Sequence, residues 1–205
     1  MKKFNIYQLI SVPLVVTVFV LAMQINDSSK NMKETTLSVI HARKSVRHFT
    51  DRAVSKDDLQ TLVKAGMAAP SGKNEQPWAF VIVTQRAILD TLAERLPYAK
   101  MLKQASAAIV VCGDMSLPKD SDKSLWVQDC AAATENILLA AEAMGLGAVW
   151  TAAYPYEDRI AAVVSSLRLP EHVIPLCVIP VGYPDGTDKP KDKWKPENVK
   201  WETWQ

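Results

Sequence analysis

The chain reads as a layered domain of the α/β or α+β class, with helices on both faces of a sheet. Three observations carry that reading. Four continuous apolar runs, WAFVIVT (78–84), SAAIVVCG (106–113), LGAVWTA (146–152) and LCVIPVGYP (176–184), have the length and β-branched content of buried strands. Helical periodicity fills the intervals between them. The 205 residues, 48% hydrophobic and 22% charged, suffice for one domain with a substantial core.

Taken in order, residues 1–33 stand apart from the rest. Lys2 and Lys3 precede an apolar stretch from Leu9 to Met23 with no charged residue, which reads as a signal peptide or membrane anchor followed by a linker. Residues 7–25 approach the roughly 20 that a membrane span needs. No A-x-A cleavage site is evident near Ala22, and no cysteine follows the stretch to accept a lipid. Positive charge ahead of it favours an inside N-terminus and an exported or membrane-anchored domain. The alternative is an incidental extension on a cytoplasmic protein.

The remainder, 34–205, is the folded domain. Leu37, Ile40 and His41 share a helical spacing that ends near Arg43. Ser55 with Asp58 three residues later starts a second helix, and Leu59, Leu62, Val63 and Gly66 follow on one face. Residues 86–104 read as helix broken at Pro97. From Ser124 to Met144 an alanine- and leucine-rich run has no internal breaker and ends at Gly145, where a left-handed C-cap is expected. Apolar around most of its circumference, this helix belongs centrally or at a subunit contact. A last helix covers 156–167. The segment 185–205 is polar and proline-broken but carries Trp194, Trp201 and Trp204, rings that need a packing surface.

Composition excludes several function classes. A net charge of +2 and a pI near 8.4, with no recognition-type basic block, argue against nucleic acid. Cys112, Cys130 and Cys177 are odd in number, widely spaced and set among apolar residues, so they read as buried thiols and not as a disulfide frame or metal site. His41, His48 and His172 show no ligand spacing. Neither G-x-G-x-x-G after a strand nor G-x-x-x-x-G-K-[ST] occurs, so a Rossmann or P-loop nucleotide site is unsupported.

Three stretches could carry chemistry. APSGKNEQPW (69–78) crowds Ser71, Gly72, Lys73, Asn74 and Gln76 between Pro70 and Pro77. It is either a polar surface connection or a ligand-gripping loop stiffened by proline and opened by glycine. In RKSVR (43–47) an extended backbone would turn Arg43, Ser45 and Arg47 to one side, where two guanidiniums and a hydroxyl could meet a phosphate; a solvated basic turn is the alternative. In GLGAVW (145–150) the glycines either admit a flat ligand to the backbone or only cap a helix and turn the chain.

In this order Arg43-Lys44-Ser45-Val46-Arg47, Ala69-Pro70-Ser71 with Asn74, Gln76, Pro77 and Trp78, Gly145-Leu146-Gly147, and Gly182-Tyr183-Pro184 with a basic tail resemble the FMN-dependent nitroreductase family, over roughly residues 36–205. The resemblance implies an α+β, three-layer α/β/α sandwich, assembled as a domain-swapped homodimer. Two FMN molecules would lie at its subunit interface, and the 185–205 arm would wrap the partner. It implies that Arg43 and Ser45, with Lys44 between them, bind the FMN phosphate, and that Arg47 stabilises charge at the flavin N1 and O2 edge. By the same match Pro70, Ser71, Gly72 and Asn74 reach the FMN held mainly by the other subunit, with Gln76 and Trp78 supporting that loop. Trp150, Thr151 and Ala152 face flavin N5, and Lys193, or else Lys195, takes the late basic position on the phosphate.

The function so implied is two-electron transfer from NAD(P)H or another donor, through FMN, to a small acceptor such as a nitroaromatic or quinone. Flavin N5 carries the chemistry, and no side chain is catalytic. Other readings are a membrane-tethered flavin carrier or sensor without turnover, and a flavin-remodelling or dehalogenating relative. The short spacing from Lys103 to Trp126 leaves the latter little room for a lid. The apolar front departs from the family pattern and, since nicotinamides are scarce outside the cytoplasm, bears on the choice of donor.

Overall fold

Strand β2 (Ala107–Asp114) is apolar almost throughout because it is covered on both faces. Ala107, Ile109 and Val111 point into one hydrophobic layer, and Ala108, Val110 and Cys112 into the other. The computed structural model describes residues 35–117 and 123–204, so the 1–33 segment with its Leu9–Met23 stretch lies outside the described residues. Among those described, no helix is long and apolar enough to cross a membrane. The chain divides after His41 into two units. The described part of the first is residues 35–41 of helix α1 (residues 35–42), where Ser38 Oγ donates to the Thr35 carbonyl at 2.7 Å.

In the second unit the elements run α2 (Lys56–Met67), β1 (Trp78–Val83), α3 (Arg86–Arg95), β2, α4 (Trp126–Ala143), β3 (Gly147–Ala148), β4 (Thr151–Ala152), α5 (Glu157–Leu167) and β5 (Val173–Gly182). The sheet order is β1-β2-β5, with β3 and β4 beyond β5, and every pairing is antiparallel. That bears out the class implied by the family resemblance: the domain is α+β. Helices α2 and α4 cover one face through Leu59, Leu62, Cys130, Ala133 and Ile137, and α3 and α5 cover the other through Leu89, Leu92, Ala162 and Val163. The result is a three-layer α/β/α sandwich.

The elements form where local chemistry directs them. Ser55 caps α2 by accepting the Asp58 amide at 3.0 Å. The long helix α4 starts at Trp126, two residues later than its composition suggests, and ends as expected before Gly145, whose φ of +69° suits glycine best. Pro97 ends the 86–104 helix early, leaving α3 and a 3-10 turn at Lys100–Lys103. Strand β5 begins at Val173, three residues before the apolar run suggests. It accommodates Pro175 because the pairing with β2 shifts there: Cys177 faces Val111 while Pro175 faces Cys112, and Leu176 is skipped.

The 146–152 run is one strand in alignment but two in hydrogen bonding. Gly147 and Ala148 face Gly182 and Val181, and Thr151 and Ala152 face Val178 and Cys177, a constant register interrupted at Val149 and Trp150. The tail leaves β5 with Trp194, Trp201 and Trp204 exposed by 71%, 82% and 85%, so its rings have little packing within this chain.

Gly147 sets how closely the 43–47 segment approaches the sheet, since a Cβ there would lie 2.6 Å from Val46 Cγ1. Val46 is buried and its amide donates to the Ala148 carbonyl at 3.0 Å, so it has no room to yield. Gly147→Ala is expected to destabilise the fold by about 1–3 kcal/mol, read as a lower urea midpoint at unchanged slope. An unaltered midpoint would mean that the segment can retreat from the sheet.

Candidate cofactor site: two clefts joined at Arg47

Residues 43–50 run extended between β3 and the chain leaving β5. They are held by Val46 N–H to Ala148 O (3.0 Å), Thr50 N–H to Tyr183 O (2.9 Å) and Asp185 N–H to His48 O (3.2 Å). With Val46 turned inward, Arg43, Lys44, Ser45 and Arg47 line an open cleft of about 510 Å³, completed by residues 187–191 and Lys193 of the tail.

This cleft is strongly cationic. Arg43, Lys44, Arg47, Lys189, Lys191 and Lys193 face one carboxylate, Asp188. Two of the cations are offset from α4: Arg43 Nε lies 3.0 Å from Glu135 and Lys44 Nζ 3.0 Å from Glu142. Among the described residues Arg47, Lys191 and Lys193 pair with no carboxylate. Asp188 serves the backbone instead. Its Oδ2 accepts the Arg47 and His48 amides at 2.8 and 3.2 Å and lies 3.3 Å from His48 Nδ1, which ties the tail to the 43–50 segment. Partial burial pushes the Asp188 pKa up, but the Arg47 amide and the His48 ring and amide outweigh it and hold the pKa below the ordinary value.

Arg47 also lines a second cleft, of about 480 Å³, whose wall is the interruption between β3 and β4. Val149, Trp150, Thr151 and Ala152 form that wall, facing Tyr98, Lys100, Met101 and Arg159. Thr151 is fixed from behind, its hydroxyl donating to the Val178 carbonyl at 2.6 Å.

The loop Pro70–Gln76 lines neither cleft. It is pinned to the start of α4, where the Gly72 amide donates to the buried Asp129 carboxylate at 2.9 Å, and a Cβ at Gly72 would meet Leu125 at 2.4 Å. Its polar groups brace one another: Gln76 N–H donates to Ser71 Oγ, and Gln76 Nε2 to Asn74 Oδ1, both at 3.0 Å. Lys73, Asn74 and Gln76 all take positive φ.

The sequence model of the Nitroreductase family matches residues 40–183. The chain belongs to the nitroreductase family. An Archaeoglobus fulgidus relative, provisionally named NADH dehydrogenase/NAD(P)H nitroreductase, is 44% identical over 174 residues, 83% of this chain and 99% of its own. Among solved structures, a Parabacteroides distasonis protein of the same provisional name is 54% identical with a TM-score of 0.78, matching 82% of this chain and 98% of its own. A Desulfovibrio desulfuricans protein provisionally called a nitroreductase, solved in complex with FMN, is 29% identical with a TM-score of 0.69, matching 83% and 98%.

For a nitroreductase-family chain, the residues singled out from sequence fall into three places. Arg43, Lys44, Ser45, Arg47 and Lys193 share the first cleft; Trp150, Thr151 and Ala152 share the second with Arg47; Pro70, Ser71, Gly72, Asn74 and Gln76 stand apart on the α4 loop. Lys195 lines neither cleft and instead precedes the 3-10 turn at Pro196–Asn198. Sequence reasoning missed Asp129 and Asp188, acids that fix backbone amides, and Tyr98, Lys100 and Arg159 in the second cleft. A buried acid in the first turn of an apolar helix was the available signal for Asp129. The other four sit in unremarkable polar surroundings.

Asp188 gives a pH dependence. Its folded pKa is depressed, so its stabilisation is complete above the ordinary aspartate value of 3.8 and is lost as pH falls through the lower folded value. Asp188→Asn is expected to lose stability at neutral pH and then to decline less steeply than wild type on acidification below that value, as measured by denaturant titration. Parallel acid limbs in the two proteins would remove the role given to this carboxylate.

Proposed function

We propose that the chain is an FMN-dependent oxidoreductase that takes two electrons from NAD(P)H and passes them to a small acceptor of the nitroaromatic or quinone type. The observation that carries the reading is the junction at Arg47, where a cleft rich in unpaired cations meets a cleft walled by backbone and aromatic groups. FMN has that shape: a doubly charged phosphate at one end and a flat ring at the other. The donor set fits it. Arg43, Ser45 and Lys193 would hold the phosphate, with Lys44 and Lys191 adding to the field, and the Val149–Ala152 wall would take the ring.

When bound, FMN supplies the hydride chemistry, while the protein contributes binding, orientation and electrostatics. Arg47, at the junction of the two clefts, would offer a fixed cation to the negative charge that the reduced cofactor gathers. The interruption at Val149 and Trp150 frees backbone groups from the sheet ladder to face the ring. Glu135 and Glu142 hold Arg43 and Lys44 in place from α4.

The dimer belongs to the same reading. The Pro70–Gln76 loop, which lines neither cleft of its own chain, would complete the site of a second copy, and Trp194, Trp201 and Trp204 would pack on that copy. Support comes from the exposure of those rings and from the loop's rigid anchoring on Asp129.

The purified protein should be yellow, and its flavin should bleach anaerobically on addition of NADH or NADPH. A colourless protein that cannot be loaded with FMN overturns the reading. Arg47→Ala should weaken FMN binding by about 1.5–3 kcal/mol and also lower the flavin potential, whereas Lys193→Ala should weaken binding alone; spectrophotometric titration and potentiometry separate the two. Deleting residues 188–205 should dissociate the dimer and release FMN together, as followed by light scattering and absorbance. A truncated protein that stays a flavin-loaded dimer would refute the wrapping arm.

A further inference from the structure

The second cleft holds more positive charge than cofactor binding uses. Besides Arg47 it is lined by Lys100 and Arg159 and by no carboxylate. Arg159, in the first turn of α5, is held without an acid: its guanidinium lies 3.7 Å over the Tyr156 ring and 5.4 Å from that of Tyr98, and Nη1 donates to the Ala152 carbonyl at 3.4 Å. Its Nε is sealed from solvent with no hydrogen-bond partner. Among the described residues neither Arg159 nor Lys100 pairs with a carboxylate. Orienting a guanidinium for structure alone would favour a nearby acid, and a partly buried cation left without one projects its field into the cleft. Beside it Tyr98, 72% exposed, offers a free ring face.

We propose that Arg159 and Lys100 form an anion subsite at the mouth of the Trp150 cleft, selecting planar substrates that carry a carboxylate or phosphate. Taking the oxidoreductase reading above as given, the anion belongs either to an aromatic acceptor such as a nitrobenzoate or to the phosphates of the nicotinamide donor. In both cases Arg159 supplies charge and a forked donor set, Lys100 adds a mobile second charge, and Tyr98 stacks on the plane. The neutral counterpart of such a substrate gains only the stacking.

The test is equilibrium binding by calorimetry to the FMN-loaded full chain, with 4-nitrobenzoate, the neutral 4-nitrobenzyl alcohol and oxidised NADP as ligands. Wild type should bind the benzoate about tenfold more tightly than the alcohol, the scale of one charge-assisted contact. Arg159→Gln should abolish that preference while leaving affinity for the alcohol within twofold, and Arg159→Lys should keep most of it, which guards against misfolding as the cause. An Arg159→Gln effect on NADP but not on the benzoate assigns the subsite to the donor and still supports it. Equal binding of benzoate and alcohol by wild type, with NADP affinity unchanged in Arg159→Gln, overturns the subsite. Flavin absorbance reports FMN loading separately, and titration of the protein as purified still reads the subsite if loading fails.

Discussion

The site depends on Val46. It is the one residue of RKSVR that turns into the core, where its side chain fills the space a Cβ on Gly147 would need and its amide bonds to the Ala148 carbonyl. Buried apolar packing and a backbone bond at one residue are far less negotiable than contacts of solvated arginines. With Val46 fixed, its neighbours have no choice but to face outward. Arg47 then stands where the tail-lined cleft meets the β3–β4 wall, and Arg43 and Lys44 fall within reach of Glu135 and Glu142 on α4.

Much of this was legible beforehand because apolar runs and caps act locally. The four strands, the Ser55 cap and the stop at Gly145 each need only a few neighbours to declare themselves, and each appears within a few residues of its sequence boundary. The choice between α/β and α+β was not legible in the apolar runs themselves, because strand direction is set by which strands pair and not by what they contain; the family resemblance supplied α+β, and the antiparallel pairings bear it out. The order β1-β2-β5 with β3 and β4 beyond follows from long-range packing. The early start of β5 was hidden by Pro175, which argues against a central strand until the register shift beside it is known.

The site divides along the same line. Motif residues in RKSVR and at Trp150–Ala152 could be named because a resemblance fixed their spacing, and the structure gathers them at two adjoining clefts. Asp129 and Asp188 could not be named, since each acts on an amide distant in sequence: Gly72 for the first, Arg47 and His48 for the second. Both acids spend their charge on holding backbone. Among the described residues that leaves Arg47, Lys191 and Lys193 of the first cleft without a carboxylate, the surplus on which the proposed phosphate site rests.

The second cleft owes its shape to the way β4 leaves β5. The Leu176 carbonyl continues the β4–β5 register by accepting the Ala153 amide at 2.9 Å, and it accepts the Tyr154 amide as well, at 3.0 Å. With two successive amides turned to one carbonyl, β4 ends and the chain leaves the sheet. The Tyr156 amide then closes on the Ala153 carbonyl at 3.0 Å, and α5 begins at once. A helix launched so close to the strand end brings Arg159 back within reach of the Ala152 carbonyl, beneath the wall that the β3–β4 interruption opens. A cation on α5 and a backbone wall on the sheet edge therefore face each other across one cleft because the strand end and the helix start lie only a few residues apart.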